Sequence, residues 1–82
     1  MAYEMKHLIR RWIKSDIRNE EFRVATATTG QKTFLDIRVW YTDKDGQKQP
    51  GKGVAIPIED DNVDELLKAV KEVESLYEEG KL

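Results

Sequence analysis

The sequence contains no cysteine and a single histidine, His7. Without cysteine no disulfide bond can form, and a structural zinc site is not expected, because zinc takes several Cys or His ligands. A chain of 82 residues is one domain, and a domain this small buries only about 60% of the surface that its unfolded chain exposes. Such domains commonly need a staple or a partner subunit. We therefore expect an oligomer, and the lack of cysteine is consistent with a cytoplasmic protein.

Long apolar runs are also missing. No stretch approaches the roughly 20 apolar residues of a membrane helix, and residues 1–6 lack the apolar segment of a signal peptide. We expect no membrane association and no targeting signal. Charged residues make up 37% of the chain and hydrophobic residues 39%. The hydrophobic residues follow periodic patterns, which indicates a folded protein.

Catalytic groupings are absent from the sequence as well. Neither Ser15 nor Ser75 has a histidine nearby, and Asp43 with Asp45 fits a hairpin turn better than a metal loop. The segment 51–53 lacks the longer pattern of a phosphate-binding loop. The sequence predicts neither an enzyme nor a cofactor.

Charge is distributed unevenly along the chain, although the formal net charge is only −2. Residues 1–58 hold 11 basic and 7 acidic side chains, a net charge of +4, whereas residues 59–82 hold 3 basic and 9 acidic ones, a net charge of −6. This asymmetry indicates a basic working surface and an acidic element that faces elsewhere. A solvated acidic helix would give the same pattern.

The last third of the chain predicts an amphipathic helix, because its apolar residues recur at steps of three and four. Asn62 with Glu65 forms a capping-box pattern, and Gly80 is a natural stop. The narrow apolar strip fits a helix that packs on a sheet or on its own copy in a dimer. The predicted dimerisation residues are Val63, Leu66, Leu67, Val70, Val73 and Tyr77.

The middle of the chain predicts β-structure. Strict alternation over 33–41 places Leu35, Ile37, Val39 and Tyr41 on one face and Phe34, Asp36, Arg38 and Trp40 on the other. Asp45-Gly46 predicts a hairpin turn. A short strand follows the segment 50–53, with Pro57 at an edge or near its end, and 21–29 predicts a further strand.

The N-terminal segment allows two interpretations. Apolar residues from Met5 to Ile17 fall at helical spacing, which favours an amphipathic helix from about Tyr3 to Lys14. The run from Leu8 to Ile13 also contains strong strand formers, so a β-strand is the alternative.

The strand face that carries Phe34, Arg38 and Trp40 suggests a function. Exposed aromatic rings interleaved with cations are typical of single-stranded nucleic-acid platforms, where bases stack on rings and cations follow the phosphates. The alternative is that these rings pack beneath the N-terminal segment or at a dimer contact.

The run Phe34-Leu35-Asp36-Ile37-Arg38-Val39-Trp40-Tyr41, followed by Asp45-Gly46, Pro50-Gly51-Lys52-Gly53 and a closing helix, resembles the transcriptional coactivator family of positive cofactor four (p15). The resemblance covers roughly residues 22–79 and is closest to a short bacterial or phage form. It implies a homodimer of a curved antiparallel sheet plus helix that binds single-stranded DNA largely without sequence preference. It also implies DNA contacts by Arg38 and Lys52 and stacking by Tyr41, whereas alternation favours Trp40; a bulge near the strand end would reconcile the two.

The sequence departs from the family pattern in the basic loop, where Lys52 stands alone and Gln49 replaces a common lysine. Thr28 or Thr29 stands where an aromatic is expected, and the Ser-rich acidic tail of eukaryotic members is absent. The resemblance therefore allows weaker binding, or binding that relies on Arg10, Arg11 and Arg23.

Together these observations predict an α+β fold, a curved antiparallel sheet of about four strands followed by a C-terminal helix, in a single domain with residues 1–17 as an extension and 18–82 as the core. The predicted function is single-stranded DNA binding in transcription, replication, recombination or repair, in the cytoplasm with the nucleoid, or in the nucleus of a eukaryote. A dimeric protein-interaction module and an RNA-binding protein are the alternatives. The predicted DNA-binding residues are Arg38, Trp40, Tyr41, Lys52, Lys48, Lys44, Lys32, Phe34 and Arg23.

Overall fold

A computed structural model describes residues 4–82 of the chain. It shows an open antiparallel sheet followed by one helix. The elements in chain order are β1 (Glu4–Ser15), β2 (Glu20–Thr29), β3 (Lys32–Thr42), β4 (Lys48–Pro57) and α1 (Asn62–Glu78). The strands lie in the order β1-β2-β3-β4, so that each pairs with its neighbour in the sequence. This confirms the predicted α+β fold with four strands and a C-terminal helix.

The N-terminal segment is a strand, so the predicted helix from Tyr3 to Lys14 is wrong and the alternative is right; Tyr3 itself lies outside the described residues. β1 pairs with β2 along its length, with register shifts at three places. A bulge adds one residue to a strand and so changes the side-chain alternation. Leu8 and Arg11 are three residues apart and still pair on the same face, opposite Ala25 and Arg23. Bulged strands can thus imitate helical spacing.

The pairing of β2 with β3 divides the sheet into two faces. It runs without a register shift from Glu20 opposite Tyr41 to Thr29 opposite Lys32. The Trp40 face consists of Phe34, Asp36, Arg38 and Trp40 together with Glu21, Arg23, Ala25 and Ala27. The Tyr41 face consists of Leu35, Ile37, Val39 and Tyr41 together with Glu20, Phe22, Val24 and Thr26. This confirms the predicted alternation in β3.

β4 begins earlier than the sequence suggested. The segment 50–53, which was expected to precede the strand, lies inside it. The strand also contains a bulge: between the pairs Arg38–Gly53 and Trp40–Pro50, two residues of β4 lie opposite the single residue Val39 of β3. A Cβ atom on Gly53 would lie 2.4 Å from the carbonyl oxygen of Ile37. The strands approach too closely there for any other residue. Pro57 ends the edge strand β4, as predicted.

The β3–β4 turn is held by Asp43. Its carboxylate accepts hydrogen bonds from the backbone N–H groups of Asp45 and Gln47, each at 2.9 Å, and from the side-chain amide of Gln49 at 3.1 Å. The hydrogen bond from Gln47 is the main reason that the pKa of Asp43 lies below its ordinary value. Gly46 has φ of 80°, which favours glycine. The predicted Asp-Gly hairpin turn is confirmed.

The helix begins at Asn62 without the predicted capping box. Neither Asp61 nor Asn62 caps it through a side chain, and the Asn62 amide donates instead to the Pro57 carbonyl at 3.1 Å. This bond links the helix to the end of β4. At the other end Gly80 has φ of 73°, and the N–H of Lys81 donates to the Leu76 carbonyl at 2.9 Å. This is a Schellman ending, so the predicted stop at Gly80 is confirmed.

The described part of a single chain contains almost no hydrophobic core. Among residue 4 and residues 6–82 the buried hydrophobic residues are Ala25 and Ala27, and α1 has no buried residue. The radius of gyration is 14.8 Å, whereas a compact domain of this length has a value of about 12 Å. The helix and the sheet therefore expose most of the apolar surface that a folded protein normally covers.

Two carboxylates are buried on the Trp40 face. Glu21 lies 2.8 Å from Arg23 Nε, 3.3 Å from Lys48 Nζ and 4.0 Å from Arg11 Nη1. Cations from β1, β2 and β4 thus meet one acid. The hydrogen bond from Arg23 is the main cause that holds the pKa of Glu21 below its ordinary value of 4.5, and Lys48 adds to it.

Replacing Glu21 by Gln should destabilise the protein at neutral pH by about 1–3 kcal/mol, because three cations lose their partner. The folded-state pKa of Glu21 is lowered, so its contribution is complete above the ordinary value of 4.5 and is lost as the pH falls through the folded-state pKa. Urea unfolding at fixed protein concentration should show the difference from wild type shrinking as the pH falls below 4.5. Glu20→Gln, which breaks the exposed pair with Lys14, should cost less than about 1 kcal/mol. A Glu21 difference that does not change with pH would contradict the ion-pair assignment.

Gly53→Ala should destabilise the sheet by about 1–3 kcal/mol, because the added methyl group overlaps the β3 backbone. The measurement is the midpoint of urea unfolding. Lys52→Ala, at the exposed neighbouring position, should leave the free energy of unfolding within about 0.5 kcal/mol of wild type. Equal midpoints for the two variants would show that β3 and β4 do not approach as described.

Candidate nucleic-acid interface

The ring of Trp40 is engaged within the chain. The guanidinium carbon of Arg23 lies 4.2 Å from the ring centroid, a cation–π contact. Arg23 also donates to Glu21 through Nε at 2.8 Å, and only 12% of its side chain is exposed. Trp40 is half-buried. Arg23 therefore already covers one face of the ring that was expected to stack on a base.

Arg38 is held in place by two neighbours. Its Nη2 and Nε groups donate to the carboxylate of the buried Asp36 at 2.8 and 3.1 Å, and its Nη1 group donates to the Gly51 carbonyl at 2.8 Å. The side chain is 21% exposed. Arg38 joins β3 to the bulge of β4 and leaves little surface for a phosphate.

The remaining candidates of the Trp40 face are spread out. Lys48 contacts Glu21, and Phe34 is half-buried. Lys32 begins β3 and pairs with Thr29; eight residues separate it from Trp40, which is about 26 Å along a strand. Lys44 lies in the exposed β3–β4 turn. Three of the predicted cations on the Trp40 face thus contact buried carboxylates. A fourth, Lys32, lies at the opposite end of β3 from Trp40.

The Tyr41 face contains a basic cleft. Tyr41 is 42% exposed and borders a space of about 510 Å³. The residues that line it, here called the Tyr41 cleft, are Lys14, Arg18, Glu20, Val39, Tyr41, Gly51 and Lys52. Lys14 contacts Glu20 at 3.1 Å. Within the described part of the chain neither Arg18 nor Lys52 has an ion pair, so the cleft combines an exposed ring with two uncompensated cations.

The nine predicted DNA-binding residues therefore do not form one site. Tyr41 and Lys52 come together in the Tyr41 cleft, whereas Trp40 and Arg38 face the other side. The bulge suggested near the end of β3 is absent: the extra residue belongs to β4, and β3 pairs with β2 without interruption. Tyr41 and Trp40 consequently point in opposite directions.

Lys14 and Arg18 were missed by sequence reasoning. They come from β1 and from the turn between β1 and β2, and the hairpin carries them to the end of β3, where Glu20 pairs with Tyr41. The strand formers between Leu8 and Ile13 were the signal that could have found them. Reading that segment as a helix hid its connection to the sheet.

Residues 4–82 contain neither a cluster of metal-binding side chains nor a helix that could span a membrane. No three His, Asp or Glu side chains gather there in a way that could hold a metal ion. The helix α1 is too short and too polar to cross a membrane. What the described residues present is a sheet with a basic aromatic cleft on one face.

Comparison with protein families supports the resemblance noted in the sequence. The family model of the transcriptional coactivator p15 (PC4) matches residues 18–69, which contain β2, β3, β4 and the start of α1 and leave β1 outside the match. Neither the curated proteins nor the solved structures gave a significant match. Because the matched segment spans more than half of the chain, the chain belongs to the transcriptional coactivator p15 (PC4) family.

Proposed function

We propose that this protein binds single-stranded DNA, largely without sequence preference, and that the Tyr41 cleft is where it does so. Membership in the p15 (PC4) family supports single-stranded DNA binding and a coactivator-like role in general terms. The observation that carries the finer assignment is the exposed Tyr41 ring beside Arg18 and Lys52, two cations without ion pairs among the described residues.

Base stacking on Tyr41 and phosphate contacts by the neighbouring cations both contribute to binding in this proposal. A base that stacks on an aromatic ring gains about 1–3 kcal/mol with little regard to its identity. Lys52 and Arg18 line the same cleft as Tyr41 and neutralise phosphates. Lys14 can exchange its exposed contact with Glu20 for a phosphate, because an exposed ion pair contributes only about 0–1 kcal/mol.

Electrostatics favour the Tyr41 face over the Trp40 face. On the Trp40 face Arg23, Arg38 and Lys48 contact the buried Glu21 or Asp36. A phosphate that drew these cations away would leave a buried carboxylate without its partner, which costs several kcal/mol. On the Tyr41 face Lys52 and Arg18 offer their charge without that penalty.

A homodimer forms part of the proposal, because one chain leaves its apolar residues uncovered. The exposed fractions of five residues of the predicted helical strip lie between 42% and 74%; they are Val63, Leu67, Val70, Val73 and Tyr77. Leu66 of the same strip is half-buried. A second copy brings an identical strip and offers a two-fold contact. The process served is transcription, replication, recombination or repair, in the cytoplasm or the nucleus, by binding alone without a catalytic step.

Titration of fluorescently labelled oligonucleotides should show binding to single-stranded DNA that weakens steeply as salt rises. Tyr41→Ala should weaken it by about 1–3 kcal/mol. Lys52→Ala should make the slope of log affinity against log salt shallower by about 0.7, because one phosphate contact is lost. Lys32, an exposed cation of the Trp40 face with no ion pair in residues 4–82, supplies the matched control, and Lys32→Ala should keep the wild-type slope.

The same titration distinguishes the alternatives. Stronger binding to RNA of equal sequence would make the protein an RNA binder. Failure to bind any nucleic acid would leave a protein-interaction module. A Lys32→Ala effect as large as that of Lys52→Ala would move the interface to the Trp40 face.

The solution mass should be twice the 9.6 kDa of the chain, as measured by sedimentation equilibrium at micromolar concentration. Leu67→Asp and Val70→Asp should each produce monomers, because a charge placed in an apolar contact loses its hydration. Lys71→Asp introduces the same side chain outside the strip and should remain dimeric. A monomeric wild-type protein would refute the homodimer.

A further inference from the structure

β1 lies outside the segment that matches the family, yet its side chains share the Tyr41 face. Trp12 pairs with Phe22, which pairs with Val39 of that face. Arg10 pairs with Val24, which pairs with Ile37 of the same face. The sheet therefore carries these β1 side chains on the surface that holds Tyr41.

Trp12 has the properties of a stacking platform. Its ring lies against the ring of Phe22, with 5.5 Å between the centroids and a tilt of 38°, so that one neighbour fixes its position. At the same time 48% of Trp12 is exposed. A ring that is supported on one side and open on another needs little further ordering before a base stacks on it.

The cations around Trp12 continue those of the Tyr41 cleft. Lys14, two residues along β1, already lines that cleft. Arg10, two residues in the other direction, has no ion pair among the described residues. The sequence Arg10-x-Trp12-x-Lys14 thus repeats along one strand the combination of ring and cation that surrounds Tyr41.

The distance between the two rings suits one continuous strand of nucleic acid. β1 and β3 are second neighbours, about 10 Å apart, and Tyr41 lies two residues beyond Val39, about 7 Å along the strand. The diagonal from Tyr41 to Trp12 is therefore about 12 Å. Lys52 lies at the Tyr41 end of this path and Arg10 lies beyond Trp12.

We propose that β1 extends the binding surface for single-stranded DNA, with Trp12 as a second stacking platform and Arg10 as a phosphate contact. This inference rests on the proposed function and adds a subsite to it. The charges beside Trp12 favour nucleic acid over another protein, because Arg10 and Lys14 lie two residues away on either side of it along β1.

Fluorescence tests the proposal directly, because the chain has only two tryptophans and they lie on opposite faces. Trp40→Phe leaves Trp12 as the sole indole, and its emission should be quenched when oligo-dT binds. Trp12→Phe leaves Trp40 as the sole indole, and its emission should change far less. Binding itself is followed separately, by the anisotropy of labelled oligo-dT.

The two readouts separate the two hypotheses. Anisotropy that rises while Trp12 emission stays constant would overturn the Trp12 subsite and leave the proposed function intact. An absence of any anisotropy change would overturn the proposed function itself. Quenching of Trp40 in place of Trp12 would move the path to the other face.

Substitutions supply an independent test with controls on the same strand. Trp12→Ala should weaken binding of long oligo-dT by about 5- to 150-fold, the equivalent of one stacked base. The loss should disappear for oligonucleotides too short to reach both rings, in a series of about 4 to 16 nucleotides. Arg10→Gln should make the salt slope shallower by about 0.7.

The controls are Ile13→Ala and Arg11→Gln, which change the alternate positions facing the Trp40 side and should bind as the wild type does. Circular dichroism and solution mass verify that each variant is folded. Should Trp12→Ala fail to fold, Trp12→Leu keeps an apolar side chain without a stacking ring and takes its place. Wild-type affinity at every length for the folded variant would overturn the subsite.

Discussion

The uninterrupted pairing of β2 with β3 is the constraint on which the functional surface depends. Ten consecutive residue pairs join the strands without a bulge, so adjacent residues of β3 must point to opposite sides. Trp40 and Tyr41 are neighbours in the sequence and cannot serve the same surface. The irregularity of this region falls instead on β4, where Gly53 and the bulge accommodate the close approach of the strands.

The two faces contain similar residue types in different electrostatic states. On the Trp40 face Arg23, Arg38 and Lys48 contact buried carboxylates. Moving these cations away would leave a buried carboxylate without its partner, at a large cost in free energy. On the Tyr41 face Arg18 and Lys52 remain without ion pairs among the described residues. Cations therefore support the structure on one side of the sheet and are available to an external anion on the other. Charge availability, more than charge number, distinguishes the faces.

The small size of the chain links binding to assembly. A sheet of four strands with alanines at its buried centre and a helix without buried residues leaves its stability dependent on further contacts. The helix presents an apolar strip, and the basic cleft of the sheet is lined by residues outside that strip. In the proposed dimer the helical strip forms the contact between the two copies, and the basic cleft stays open for DNA.

The sequence by itself determined the elements that depend on local chemistry: the alternation of β3, the Asp-Gly turn, the helix with its stop at Gly80, and through the motif around Arg38 the family. It could not determine β1, because bulges gave its apolar residues a helical spacing, nor the partners of Arg23, Arg38 and Lys48, because these depend on which strands lie side by side. Only the tertiary structure decided that Lys14 and Arg18 join Tyr41 while Trp40 faces away. The physical reason is that alternation within a strand determines the face on which each residue lies. The register between strands determines which side chains from neighbouring strands lie beside it, and so which charges form ion pairs.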